Sequence, residues 1–175
     1  MNKKLKLEEL NRLSISEYAN SEKDPIIVIL DNIRSLNNVG SIFRTCDAFA
    51  VEKLILCGIT AKPPHREIRK TAIGATESVN WDYAESTDEA IKSCKDLGYD
   101  CYAIEQTEKS TSLENLNLKN KRVALIFGNE LDGVSQDSIN QCYGSIEVPQ
   151  WGTKHSFNVS VTTRIVLWEI KKTIS

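Results

Sequence analysis

Residues 26–57 read IIVILDNIRSLNNVGSIFRTCDAFAVEKLILC, and this stretch decides the fold. IIVILD (26–31) is an unbroken apolar run of strand length, the pattern of a strand covered on both faces. From about Val39 to Phe49 the apolar residues Val39, Ile42, Phe43, Cys46 and Phe49 recur at helical spacing. KLILC (53–57) then returns to strand character. A strand, a helix and a strand in succession point to an α/β domain on a mainly parallel sheet flanked by helices.

The alternation continues downstream. A Pro- and basic-rich loop surrounds Pro63 and Pro64, and SVNWDY supplies a third strand. Thr87 is the expected N-cap of the next helix, with Asp88 and Glu89 in its first turn and Gly98 ending it. DCYAI and VALIF are short apolar strands separated by a polar loop; a helix starts near Ser135 and SIEV is the last strand. FNVSVTTRIVLW (157–168) is rich in β-branched residues, so propensity alone would make it a strand. Val159, Val166, Ile170 and Ile174 stack at helical spacing, which in part supports a helix from about Val159 onward; the family resemblance given below supplies the rest. Before Pro25, Leu7, Leu10 and Leu13 predict a short amphipathic helix. The chain is therefore divided into an N-terminal helical extension (1–25) and one domain (26–175).

Composition narrows the classes of function. Among 175 residues, 41% hydrophobic and 26% charged content suits a globular domain with a real core. No apolar run approaches the roughly 20 residues of a membrane span, and the lysines of MNKKLKLEEL precede no apolar stretch of a secretory signal. Five scattered cysteines, none in a C-x-x-C pair, fit a reduced, cytoplasmic protein. A net charge of −2 argues against indiscriminate coating of nucleic acid. Cations nevertheless gather at Lys62, Arg66, Arg69 and Lys70, at Lys119, Lys121 and Arg122, and at Lys154. Any one cluster alone reads as solvated surface.

Three segments carry candidate chemistry. In LDNIRSLNNVGSIFRTCDAF, Asn38 stands where a helix should begin, as an N-cap or a site residue. Arg44 lies off the apolar face of that helix, near the carboxyl ends of strands where open α/β sheets bind ligands. In VALIFGNELDGVS, Gly128 and Gly133 nearly make a phosphate-binding G-x-x-x-x-G-K-[ST] loop, but Val134 replaces the lysine and removes the cation that reading needs. What remains is a tight strand–turn–helix junction with an acid, Glu130, in its turn. In VPQWGTKHSFNVSVTT, Pro149 and Gly152 bend the chain, and Ser156 and Asn158 stand at the start of the last helix. A metal site is not expected, because His155 has no partner at ligand spacing. No G-x-S-x-G elbow supports a serine hydrolase.

Taken together and in order, these segments resemble the three motifs of the SpoU (TrmH-like) ribose methyltransferases of the SPOUT superfamily. N-x-G-x-x-x-R-T matches Asn38, Gly40, Arg44 and Thr45; F-G-N-E-x-x-G matches Phe127 to Glu130 and Gly133; the third motif matches Val148, Pro149, Gly152 and Ser156 through Val161. The resemblance implies a C-terminal deep trefoil knot whose loops hold S-adenosylmethionine, with Gly128, Val148 and Phe157 lining the pocket and Ile104 near the adenine. It implies a homodimer with its active site near the subunit interface. It places Asn38, Arg44, Glu130, Ser156 and Asn158 at the catalytic positions, acting on a ribose 2′-hydroxyl of RNA, transfer RNA ahead of ribosomal RNA. In this reading Arg44 stabilises charge on the 2′-oxygen, Asn38 and Glu130 hold Arg44 and the loops, and Ser156 and Asn158 orient substrate or cofactor. Gln150, Trp151 and Phe157 depart from the commoner residues of the third motif. The rival readings are a catalytically silent RNA-binding or assembly module, an RNA base methyltransferase, and a nicotinamide oxidoreductase. The last would need a G-x-G-x-x-G turn after the first strand, where only Gly40 occurs.

Overall fold

The computed structural model describes residues 2–174. Seven strands, β1 (Asp24–Asp31), β2 (Val51–Cys57), β3 (Trp81–Ala84), β4 (Asp100–Ile104), β5 (Thr111–Ser112), β6 (Val123–Phe127) and β7 (Gly144–Glu147), form one sheet in the order β3-β2-β1-β6-β4-β7-β5. Every strand pairing in it is parallel. The helices are α1 (Ile15–Asn20), α2 (Leu36–Ala48), α3 (Arg66–Ala72), α4 (Ala75–Ser78), α5 (Thr87–Asp96), α6 (Gln136–Gln141) and α7 (Val159–Ile174). No helix among the described residues is long and apolar enough to cross a membrane.

The continuous apolar runs are explained by burial on both sheet faces. Alternate residues of β1 enter different cores. Ile26, Val28 and Leu30 pack with Phe43 of α2 and Val166 and Ile170 of α7, while Ile27 and Ile29 pack with Ile91 and Cys94 of α5. At the centre, all five residues of β6 are buried between β1 and β4.

α7 is a helix despite its β-branched composition. Val159, Thr163, Val166, Leu167 and Ile170 are its buried stripe, and Lys171 pairs with Asp24 at the start of β1. β-branched residues lower helix propensity by only a few tenths of a kcal/mol each, which a buried stripe of this size outweighs.

Several local expectations are corrected. Leu7, Leu10 and Leu13 do not share one helix: a 3-10 turn spans Leu7–Leu10 and α1 begins only at Ile15. Ser14 is the reason, since it stands in an extended conformation and caps α1, accepting from the Glu17 N–H while Glu17 reaches back to its own N–H. The N-cap of α5 is Ser86, accepting from the Glu89 N–H at 3.2 Å; the Thr87 hydroxyl instead donates to Asp31 Oδ1 at 2.7 Å. The loop expected around Pro63 and Pro64 passes directly into α3 and α4. Gly40 makes that arrangement compact, because a Cβ there would collide with Thr71 Oγ1 and the Ile68 carbonyl of α3.

Candidate active site

The carboxyl ends of β4, β6 and β7 open into a cleft of about 610 Å³. Its apolar wall comes from Ile104, Phe127, Val148 and Phe157, and its polar rim from Glu105, Asn129, Glu130 and Asp132. Four residues expected at a cofactor, Ile104, Gly128, Val148 and Phe157, all line it, although they come from three separate strand ends and one loop.

The turn after β6 is shaped by its glycines. A Cβ on Gly128 would overlap the backbone of Gly133 and Val134, so the turn can fold back on itself only with hydrogen at position 128. Gly133 adopts φ +67°, a left-handed conformation that costs glycine nothing. The Asn129 side chain accepts from the N–H groups of Leu131 and Asp132, both at 2.9 Å, and the Val134 N–H donates to Glu105 Oε2 at 3.1 Å.

Asn38, Glu130 and Asn158, separated by about 120 residues in total, form one hydrogen-bonded chain. Asn38 Nδ2 donates to Glu130 Oε1 at 2.8 Å, and Asn158 Nδ2 donates to Asn38 Oδ1 at 3.2 Å. These two bonds fix the Asn38 amide, since only its oxygen can accept and only its nitrogen can donate. Glu130 also accepts from the Arg34 and Ser35 N–H groups at 3.3 Å. Partial burial pushes the Glu130 carboxyl up, but the bonds from Asn38 and from backbone N–H groups outweigh it and hold the group below its ordinary value. Asn158 Oδ1 accepts from the N–H and hydroxyl of Ser160 at 3.0 and 2.7 Å, so this residue caps α7 while reaching Asn38. Asn38 itself is not a cap. Ser35 caps α2, which leaves the Asn38 side chain to face Glu130.

Ser156 is exposed and lines the cleft. Arg44 does not join the group: it is exposed on α2, outside the lining residues, and it is bonded to neither Asn38 nor Glu130. The expected grip of Asn38 and Glu130 on Arg44 is therefore replaced by their grip on each other and on residues 34–35. His155 is also exposed, and its carbonyl accepts from Gln106 Nε2 at 3.2 Å and Gln150 Nε2 at 3.3 Å, pinning the loop after β7 to the end of β4. Among the described residues no group of three or more His, Cys, Asp or Glu is placed to hold a metal.

Sequence reading missed Glu105, Gln106 and Asp132, all in the cleft wall. Their signal was available in position: Glu105 and Gln106 directly follow β4, at the sheet edge where α/β folds bind ligands.

Fold and site define an α/β protein with a cofactor-sized cleft at the carboxyl edge of an all-parallel sheet, roofed by two loops from its C-terminal half. The chain belongs to the SpoU rRNA Methylase family, whose model matches residues 25–168. It is 28% identical over 164 residues to the tRNA (guanosine(18)-2′-O)-methyltransferase of Thermus thermophilus, covering 94% of this chain and 83% of that protein. Its fold matches the A. aeolicus TrmH/SpoU tRNA modifying enzyme with a TM-score of 0.81 at 26% identity, over 91% of this chain and 80% of the other. It also matches the AdoMet-bound rRNA methyltransferase from Sinorhizobium meliloti with a TM-score of 0.80 at 26% identity. That match covers 89% of this chain and 59% of the S. meliloti chain.

Proposed function

We propose that this protein methylates a ribose 2′-hydroxyl of RNA, transfer RNA ahead of ribosomal RNA, using S-adenosylmethionine. The observation that carries the reading is that the second and third motif segments line one cleft and the first is tied to them by the Asn158–Asn38–Glu130 chain of hydrogen bonds. The cleft falls in the size range of small-molecule sites and joins an apolar wall to a rim of backbone groups and carboxylates, a donor set that fits the adenosine and amino acid parts of the cofactor. When bound, S-adenosylmethionine supplies an electrophilic methyl group on a sulfonium.

The residues divide the remaining work. Ile104, Val148 and Phe157 pack the adenosine, and the close turn at Gly128 lets the backbone approach it. Asn38, Glu130 and Asn158 hold the two loops and the start of α2 in one geometry, and Ser156 orients the substrate or cofactor. Arg44 contacts the target phosphate and stabilises negative charge developing on the 2′-oxygen. A guanidinium holds its proton too tightly to act as a base near neutral pH, so the proton passes to phosphate or solvent. Arg44 lies six residues from Asn38, about 9 Å along the helix axis. We therefore give it to an active site assembled at the interface of a homodimer, with α7 contributing its exposed Val161 and Trp168.

The insertion of β6 between β1 and β4, both earlier in the chain, supports a C-terminal trefoil knot. We take residues 26–175 as the methyltransferase domain and 1–25 as its extension. Four buried free thiols and one half-buried support a cytoplasmic protein.

The test is transfer of labelled methyl from S-adenosylmethionine to unmodified transfer and ribosomal RNA transcripts, with Arg44→Ala alongside. Label recovered as a 2′-O-methyl nucleotide and lost in the variant is the expected result. Label on a base would move the reaction class, and no label with the cofactor bound would favour the silent RNA-binding module.

A further inference from the structure

The chain has three tryptophans, and two of them pack on aromatic partners. Trp81 meets Phe43 edge-on at 6.1 Å, and Trp168 meets Phe49 at 6.5 Å. Trp151 is 89% exposed and has no ring partner among the described residues. An indole left in water forgoes the burial of about 150–250 Å² of ring surface, so its placement calls for a ligand.

Its position says which one. Val148 and Gln150 before it and Ser156, Phe157 and Asn158 after it all line the cleft, while residues 151–155 stand outside the lining. The excursion is closed at its base, where Gln150 Nε2 donates to the His155 carbonyl, and Gln106 anchors the same carbonyl to the sheet. Trp151 therefore projects from a fixed loop at the mouth of the cleft rather than from its interior. Its immediate neighbours in the chain are Gln150, Gly152, Thr153, Lys154 and His155, with one cation, no acid and no large apolar side chain. A protein partner would be met by a contiguous apolar patch, and the residues that follow the ring, Gly152 to His155, offer none. A ring beside a cation at the rim of a cleft is instead the arrangement that receives an unpaired base and its phosphate.

We propose that Trp151 is a stacking platform for an unpaired nucleobase of the RNA substrate next to the methylated ribose. This rests on the RNA methyl-transfer reading above. Duplex bases present no free face, so the platform makes the enzyme select nucleotides in loops or bulges, or nucleotides turned out of a stack.

The experiment uses the full chain, its Trp151→Phe and Trp151→Leu variants, a short single-stranded oligoribonucleotide, the same sequence as a duplex, and an unmodified transfer RNA transcript. Single strand should quench indole emission in the parent and the duplex should not, and Trp151→Leu should abolish that quench. Trp151→Leu should bind the single strand roughly 5- to 140-fold more weakly, the equivalent of about 1–3 kcal/mol at 1.4 kcal/mol per decade. S-adenosylmethionine affinity should be unchanged, and Trp151→Phe should recover most of the RNA affinity and the KM for transcript. Unchanged single-strand binding in Trp151→Leu overturns the inference, as does quenching by S-adenosylmethionine alone, which would mean a cofactor contact. Emission that changes on dilution without RNA also overturns it, since a second copy would then cover the ring. A parent protein that methylates no transcript fails the functional reading instead, while the quench by single strand is still scored separately.

Discussion

Replacing Gly128 with alanine tests the tightest point of the cleft. The added methyl would lie inside 3.0 Å of three backbone atoms of Gly133 and Val134, a separation that real Cβ atoms essentially never show. Backbone cannot rotate away as a flexible side chain can, so the turn has to open. Opening it strains the Gly133 N–H bond to the Asn129 carbonyl at 3.1 Å and the Val134 N–H bond to Glu105 at 3.1 Å. One ordinary and one charge-assisted hydrogen bond, discounted for the half-exposed Glu105, are together worth about 2–3 kcal/mol. Overpacking of this kind costs a similar amount. For a chain of this size that corresponds to a fall of about 4–12 °C in Tm. Thermal unfolding followed by circular dichroism measures the fall, and calorimetric titration should show S-adenosylmethionine binding at least about tenfold more weakly, since the displaced turn lines the cleft. Gly152→Ala is the control: a Cβ there meets nothing within 4 Å, so its stability should stay within about 0.5 kcal/mol of the parent. A Gly128→Ala protein with the parent Tm and the parent affinity would refute the argument from close approach.

Other substitutions probe the rest of the site. Arg44→Lys keeps the charge and loses the planar fork, so turnover should fall at least about tenfold with cofactor affinity unchanged; equal turnover would remove Arg44 from the mechanism. Asn38→Ala takes one stabilising bond from the Glu130 carboxylate, and a carbon-detected titration should show its pKa moving up. Because that pKa is depressed in the fold, the stabilisation it supplies is complete above the ordinary carboxylate value and is lost as pH falls through the depressed one. In Asn38→Ala that acid-side loss should be smaller and complete at a higher pH, and an unmoved profile would show the bond to be idle. Burial pushes the thiols of Cys57, Cys94 and Cys142 up to about 12 and that of Cys101 up to about 11, and it raises Cys46 further. A thiol reagent at pH 8 should therefore label the folded protein slowly, beginning with half-buried Cys142, and all five rapidly in denaturant. Fast labelling of a buried cysteine in the native protein would contradict this.

How much was legible follows from what each signal depends on. β1 and β6 were readable because strands covered on both faces are apolar in an unbroken run, as Ile26 to Leu30 of β1 and all five residues of β6 are. α7 was readable only by setting spacing and the family resemblance together against propensity, since Val159, Thr163, Val166 and Ile170 lie on one stripe while their types favour strand. The N-terminal leucines misled for a related reason: spacing shows which residues share a face, and it says nothing of whether a core is there to receive them. Leu10 and Leu13 are exposed. α3 was hidden by charge, because Arg66, Arg69 and Lys70 mask a helix whose inward residues are only Ile68 and Ala72. Within the site, the motif residues Glu130 and Asn158 were visible in sequence, but their bonds to Asn38 join segments some 90 and 120 residues apart. No local pattern encodes those bonds. The role of Gly40, which the sequence shows only as a motif position, lies in its close approach to another helix, α3.

The position of β6 carries a consequence for how the protein is made. Its neighbours in the sheet, β1 and β4, both precede it in the chain. At ribosomal rates of 5–20 residues per second, β6 follows β1 by about 90 residues, or roughly 5–18 s. Throughout that interval β1 lacks its neighbour on that side, and β4, made only about 20 residues before β6, waits for the same strand at its end. Parallel pairing across such a separation is slow in any case, so the nascent chain exposes unpaired edges that can associate with other chains. Yield in the cell should therefore depend on translation speed and holding chaperones more than on the stability of the finished sheet.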